Sequence, residues 1–261
     1  MEKDRIVKRV VLKIGTKLLT TKHGKLDLNN LRQLCFQVTA LCDKGDYEFI
    51  LVTSGSIICG SESLNINVQT IPEKQAAAAL GQILLMKEYY QFFEQRNHKA
   101  AQILLTKDGL NNKEKQLNII NTIQTLLKQN VIPIINENDT VATDEIQFGD
   151  NDMLSCYVAE LVKADYFIIL TDQDGIYTEN PTVSKTAKLI PTLTDISDSM
   201  IDKAPSTVDT KGKGGIKSKL MAAQFALSKN IPMHIANGFD TTIISDILNK
   251  QKVGTCIKAK H

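Results

Sequence analysis

With 261 residues, 43 % of them hydrophobic and 23 % charged, the chain has an ordinary globular composition and the length of one large domain or two small ones. The 31 Lys and Arg against 29 Asp and Glu leave a net charge of +2 and a sequence pI of about 8.2, too balanced for a general nucleic-acid binder; no run approaches the ~18 apolar residues of a membrane helix. Cys35, Cys42, Cys59, Cys156 and Cys256 are scattered without a C-x-x-C pair and Lys8, Arg9 and Lys13 break up the N-terminus, so the expectation is reduced thiols in a cytoplasmic protein without a signal peptide.

The β-branched run Val10-Val11-Leu12 predicts a strand that ends at Gly15, with Lys13 in its last turn. Apolar residues at 28, 31, 34, 35, 38, 41 and 42 predict an amphipathic helix, with Gly45 placed to end it. Phe49 to Val52 reads as a buried strand stopping at Ser54-Gly55, followed by a short helix, and the stretch 73–95 predicts a long one. Gln102 to Leu105 predicts a strand, and 113–129 a helix with Leu117, Ile120, Ile123 and Leu127 on one side. Strands at Val131 to Ile135, Tyr166 to Leu170 and Met233 to Ala236 then alternate with helices at 151–163, 215–229 and 241–249, and Val253 to Ile257 is expected as an edge strand. Uniformly apolar strands alternating with helices predict an α/β fold with a largely parallel sheet covered on both faces. Ligands in such folds bind beyond the carboxyl ends of strands. The segments poorest in apolar periodicity are 16–27, 136–150, 174–188 and 203–214, and the first three follow predicted strands, so function is expected there.

Several of these segments carry chemistry. Lys13 can neutralise a phosphoryl group as a point charge, with Gly15 letting backbone amides approach a ligand; the alternative is a solvated strand-end lysine. Val52-Thr53-Ser54-Gly55-Ser56 either offers N–H groups to an anion or forms a plain turn. Asn136-Glu137-Asn138-Asp139 and Gly149-Asp150-Asn151-Asp152 can hold an ammonium, a lysine or a metal-bound phosphate, or can be a capped polar loop. Thr171-Asp172 to Tyr177 can cup a ribose and does not complete a calcium loop. Lys211 to Lys219 runs from a Gly- and Lys-rich loop into a helix; it departs from the Walker A pattern at Ile216 but keeps glycine amides, lysines and a helix start, the elements that bind phosphates, against the alternative of a basic surface loop. His23, His98, His234 and His261 have no metal-ligand spacing.

Taken in order, Val11-Leu12-Lys13-Ile14-Gly15-Thr16, Val52-Thr53-Ser54-Gly55, Lys74-Gln75 with Gly81-Gln82, Ile135 to Asp139, Gly149 to Asp152, Leu170 to Thr178 and Gly212 to Lys219 resemble the amino acid kinase family over nearly the whole chain, and within it the glutamate 5-kinase branch. The resemblance implies a three-layer α/β/α sandwich and ATP-dependent phosphorylation of the γ-carboxylate of L-glutamate, the first step towards proline. It also implies Mg²⁺ carried mainly by the nucleotide phosphates, a homo-oligomer (dimer or tetramer), and feedback inhibition by proline. Residues 1–261 would form one kinase domain, about 1–165 holding glutamate and about 166–258 the nucleotide, without the C-terminal PUA domain that many relatives carry. By motif, Lys13, Lys219, Asp152 and Gly55 are the catalytic candidates: the lysines flank the transferring group, Asp152 orients them, and Gly55 and Gly15 offer amides. Ser54, Asp139, Asn151, Asn136 and Asp150 are the glutamate candidates. Lys13, Thr171, Asp172, Lys213, Gly214, Gly215, Ile216, Lys217, Ser218 and Lys219 are those for ATP. The chain departs from the family at Lys213 and Ile216, where threonine and methionine are usual, and at Ser56, where alanine is common. The Asn/Asp clusters argue against the relatives acting on acetylglutamate, aspartate or a nucleoside monophosphate, and retention of both lysines and Asp152 argues against a catalytically silent nucleotide-binding regulator.

Overall fold

The apolar strand runs become the middle of three layers. The computed structural model describes residues 7–141, 151–204 and 215–259. In order these contain β1 (Lys8–Ile14), a 3₁₀ turn (Thr16–Leu18), α1 (Leu28–Cys42), β2 (Tyr47–Val52), α2 (Ser56–Leu64), α3 (Ile71–Glu94), β3 (Lys99–Leu105), α4 (Lys107–Asn111), α5 (Lys113–Lys128), β4 (Val131–Glu137), α6 (Asn151–Leu161), β5 (Tyr166–Thr171), β6 (Thr192–Leu193), α7 (Asp198–Lys203), α8 (Ile216–Ser228), β7 (Met233–Asn237), α9 (Ile243–Leu248) and β8 (Thr255–Ile257). The described strands form one eight-stranded sheet in the order β3-β4-β2-β1-β5-β7-β8-β6. Neighbours are parallel except β7 and β8.

Alternation along the central strands feeds two cores. Val11, Ile50, Val52, Ile135, Phe167 and Ile169 pack with α5, α6 and α8 on one face. Val10, Leu12, Phe49, Leu51, Ile134 and Ile168 pack with α1, α3 and α9 on the other. Each fully buried aliphatic side chain contributes about 1.5–3 kcal/mol, so a one-residue slip of β1 would exchange both sets at once. That fixes the direction of Lys13: two residues after Val11, it faces the α6 and α8 side.

Local chemistry sets the helix starts. Asp27 caps α1 by accepting from the Asn30 N–H at 3.0 Å, and Thr70 and Glu73 form a reciprocal capping box at α3. Helices α2 and α3 touch through glycines: a Cβ on Gly60 would lie 1.7 Å from Ala77 O, and one on Gly81 1.8 Å from Ser56 O. This contact holds the first turn of α2 in place.

The structure corrects four expectations. Strand β4 does not stop at Ile135; Asn136 and Glu137 pair with Leu104 and Leu105 of β3, so these polar residues are strand residues inside the sheet. Leu117 is 57 % exposed: Ile123 and Leu127 of the expected side do pack against the core, but Ile119 rather than Leu117 joins them. Strand β8 is not the edge, since β6 pairs beyond it. The short elements α4, α7 and β6 carry too few residues to show a period and were not expected from the sequence. Burial pushes the thiols up, to about 11 at Cys59 and about 12 at Cys42, which suits packing residues rather than nucleophiles. No helix among the described residues is long and apolar enough to cross a membrane.

Candidate active site

The carboxyl ends of β1, β2, β4 and β5 converge where α2 and α6 begin. Lys13 arrives from β1, Asp152 from the first turn of α6 and Lys219 from α8, and they are 2 %, 0 % and 8 % exposed. Lys13 Nζ lies 2.6 Å from Asp152 Oδ1 and Lys219 Nζ 3.2 Å from Asp152 Oδ2. A buried charge is tolerated only when paired and hydrogen-bonded, so one carboxylate holds two ammoniums from opposite ends of the chain. Ser218, expected on the nucleotide, has its Oγ 2.9 Å from Asp152 Oδ2 and 2.9 Å from Gly215 O. Its position is therefore that of a brace for Asp152.

Beside this charge cluster lies a chain of buried amides. Asn151 Nδ2 donates to Thr53 O, to Asn136 Oδ1 at 2.8 Å and towards Ser54 Oγ at 3.1 Å. Asn136 Oδ1 also accepts the Glu137 N–H at 2.9 Å, and Asn136 Nδ2 donates to Gln82 Oε1 of α3 at 2.7 Å. Ser56 Oγ donates to Asp139 Oδ2 at 3.2 Å, tying Asp139 to the start of α2. Gly55 precedes that helix with φ of 99°, a conformation that glycine adopts without Cβ strain. The two glycines expected to offer amides differ. The Gly15 N–H is already donated to Leu170 O at 3.0 Å, whereas no backbone carbonyl among the described residues takes that of Gly55. The amides at the start of α2 thus have the arrangement that can receive an anion.

Thr171 ends β5, next to the end of β1, and Asp172 follows it. Thr171 Oγ1 donates to Asp172 Oδ1 at 3.1 Å, and Lys17 Nζ lies 3.4 Å from Asp172 Oδ2. Asp174 accepts from Tyr177 and from Asn237. Gly215 is the N-cap of α8 and has no side-chain cap bond among the described residues, a helix start of the kind that can receive an anion. Lys217 is partly exposed there, and the side chain of Ile216, whose N–H lies at the helix start, packs against the core. Asp150, Lys213 and Gly214 lie outside the described residues.

Sequence reasoning placed Gln82 and Thr53 in motifs without giving them a role, and missed Lys17 and the bracing contacts of Ser56 and Ser218. Gln82 had a signal: it falls in the buried stripe of α3 with Ala78, Leu85 and Tyr89, where a polar side chain needs a partner.

The family model for the amino acid kinase family matches residues 8–237. The chain is 43 % identical over 249 residues to a glutamate 5-kinase of Thermoanaerobacter sp. (strain X514), covering 95 % of this chain and 67 % of that one. It is 42 % identical over 261 residues to a glutamate 5-kinase of Enterococcus faecalis, covering 97 % and 96 %. Among solved structures, the UMP kinase of Bacillus anthracis superposes with a TM-score of 0.64 at 18 % identity, covering 97 % of each chain. The isopentenyl phosphate kinase of T. acidophilum gives 0.65 at 15 %, covering 96 % and 100 %. The parallel sheet between helical layers, the lysine-carboxylate-lysine cluster at its carboxyl edge and these likenesses agree: the chain belongs to the amino acid kinase family.

Proposed function

We propose that this chain transfers the γ-phosphoryl group of ATP to the γ-carboxylate of L-glutamate, giving γ-glutamyl phosphate and ADP in the first step of proline biosynthesis. The observation that carries this reading is the placement of Lys13 and Lys219 on the two oxygens of buried Asp152. The acceptor carboxylate is already ionised, so the reaction needs positioning and charge neutralisation rather than a base. A carboxylate oxygen of glutamate forms the new bond to phosphorus as the bond to the bridging oxygen of ADP breaks. Lys13 and Lys219 would flank the moving group, held at fixed spacing by Asp152, and the Gly55 N–H would meet one of its oxygens.

Ser54, Asn151 and Asp139 would hold glutamate, Asp139 pairing with the ammonium, with Asn136 as support and Asp150 assigned by sequence motif alone. Thr171, Asp172, Gly215, Lys217 and the start of α8 would face the nucleotide, with Lys213 and Gly214 again assigned by motif. The backbone N–H groups of Ile216 and Ser218, in the first turn of α8, would face the nucleotide beside Lys217 and Lys219. Mg²⁺ would enter on the ATP phosphates, which suits a site whose central carboxylate is engaged by two lysines; it would screen the charge that builds on the transferring group. We read residues 1–261 as one kinase domain, about 1–165 for glutamate and about 166–258 for the nucleotide, acting in the cytoplasm as a homo-oligomer that proline inhibits.

The test is capture of the acyl phosphate. Purified protein with ATP, Mg²⁺, L-glutamate and hydroxylamine should form γ-glutamyl hydroxamate, with acetylglutamate and aspartate as controls. A folded, ATP-binding protein that gives no glutamate-dependent product would refute the assignment.

A further inference from the structure

Asp172 repeats in an open setting what Asp152 does in a dry one. Asp152 takes a hydroxyl and a lysine on Oδ2, from Ser218 and Lys219. Asp172 takes the Thr171 hydroxyl on Oδ1 and has the Lys17 ammonium 3.4 Å from Oδ2. The two pairs differ in access: the side chains of Lys17 and Asp172 are 48 % and 27 % exposed, whereas Asp152 is fully buried. The turn that carries Lys17 directly follows β1 and is held on three sides. The Gly15 N–H donates to Leu170 O of β5 at 3.0 Å, Leu18 O accepts from Asn30 Nδ2 of α1 at 2.9 Å, and a Cβ on Gly238, just past β7, would lie 2.3 Å from Leu18 Cδ1. Leu18 and Leu19 are fully buried. Lys17 is thus presented by a fixed turn beside the carboxyl ends of β1 and β5, four residues on from Lys13.

We infer that Lys17 is a further nucleotide-binding residue: its ammonium contacts the polyphosphate of ATP while Asp172 holds it at the mouth of the site. This rests on the kinase reading above, which puts Thr171, Asp172 and the start of α8 on the nucleotide. A polyphosphate brings several negative charges to a place where the chain already sets a carboxylate. Lys13 and Lys219 against Asp152 leave one surplus positive charge, and Asp172 on its own would offset it. Lys17 removes that offset, and phosphoryl transfer depends on such charge balance. A lysine suits the place, because a compact ammonium has three donors and can serve a carboxylate and a phosphate oxygen together. An exposed ion pair is weak, so turning the ammonium from Asp172 towards a phosphate costs little.

Calorimetric titration of the whole protein with ATP and Mg²⁺ at low and high salt tests this. Lys17→Gln should weaken ATP binding about fivefold or more at low salt, with the gap to the parent closing as salt screens the lost charge. Its melting temperature should equal that of the parent, and its glutamate KM should stay within about twofold. Lys17→Arg, which keeps the charge, should bind ATP within about threefold of the parent. Lys17→Met covers the case in which the glutamine variant does not fold. Unchanged ATP affinity in a folded variant would overturn the inference. So would a loss that is equal at both salt concentrations or shared in full by Lys17→Arg, the mark of a residue that only shapes the turn. A parent that binds ATP yet makes no γ-glutamyl hydroxamate would overturn the glutamate reading and leave the Lys17 result standing, so the two failures are distinct.

Discussion

Asn151 and Asp152 are neighbours in the chain and belong to two different machines. Asp152 centres a cluster of charges that reaches it from β1 and α8, whereas Asn151 is one link in a directional relay of amides that runs through Asn136 to Gln82. The charge cluster acts through Coulomb attraction, which is strong in a dry site and tolerates small displacements. The amide relay acts through donor and acceptor order, which a single reversed group breaks. The first suits a phosphoryl group whose charge changes during reaction, and the second suits recognition of one amino acid among similar ones.

Substitutions should separate the two regions, and the largest effect belongs to the charge cluster. Asp152→Asn leaves two buried ammoniums without their carboxylate. It should cost about 3–5 kcal/mol of stability, read by denaturant unfolding, and abolish hydroxamate formation. Lys219→Ala keeps the Lys13–Asp152 pair, so the fold should survive while kcat falls by at least about a hundredfold with little change in the glutamate KM. A glutamate KM that rises as much as kcat falls would erase the distinction between the regions.

A control lies away from both regions. His234 on β7 sits between Ile168 and Cys256 in the sheet register, and burial lowers its pKa from 6.5 to about 4. The unfolded chain therefore binds the proton more readily. Its contribution is complete above about pH 6.5 and is lost as the pH falls towards 4, about 3 kcal/mol in all. His234→Gln should flatten the dependence of unfolding free energy on pH between those limits, leaving both KM values at neutral pH unchanged. Gly60→Ala tests the helix contact, since its Cβ would lie 1.7 Å from the backbone Ala77 O of α3 and force the two helices apart. It should cost about 3 kcal/mol or more and, by shifting the start of α2, raise the glutamate KM more than the ATP KM. Equal shifts would mean that α2 serves both substrates.

Much of the frame was legible from residue pattern. The apolar strands and the helices between them were readable because burial on both faces demands continuous aliphatic runs and a 3.6-residue stripe, and Lys13, Gly55, Asn151, Asp152 and Lys219 stood out as polar or flexible residues at element ends. Gln82 appeared only as part of a motif and without a role, because a glutamine inside a long helix has no local signal of what it bonds apart from its place in the buried stripe. One edge of the α5 face, Leu117, turned out exposed for a related reason. Leu117, Ile119, Ile120 and Ile123 permit more than one apolar side, and only packing against the sheet selects Ile119 and Ile123.

By itself, then, the sequence determined the α/β alternation, the family and the residue types at the site, since periodicity, turn chemistry and motif order are local properties of the chain. Tertiary structure decided which groups meet. Lys13 and Lys219 lie about 200 residues apart and share one carboxylate only because the parallel sheet brings β1 and α6 under α8. Gly15 looked as available as Gly55 until Leu170 took its N–H. In the pattern that runs into α8, packing decides where the side chains go, the Ser218 hydroxyl to Asp152 and the Ile216 side chain to the core. In each case a hydrogen-bond donor or an apolar side chain has one partner, and which one it takes is settled by distance in three dimensions rather than by position along the chain.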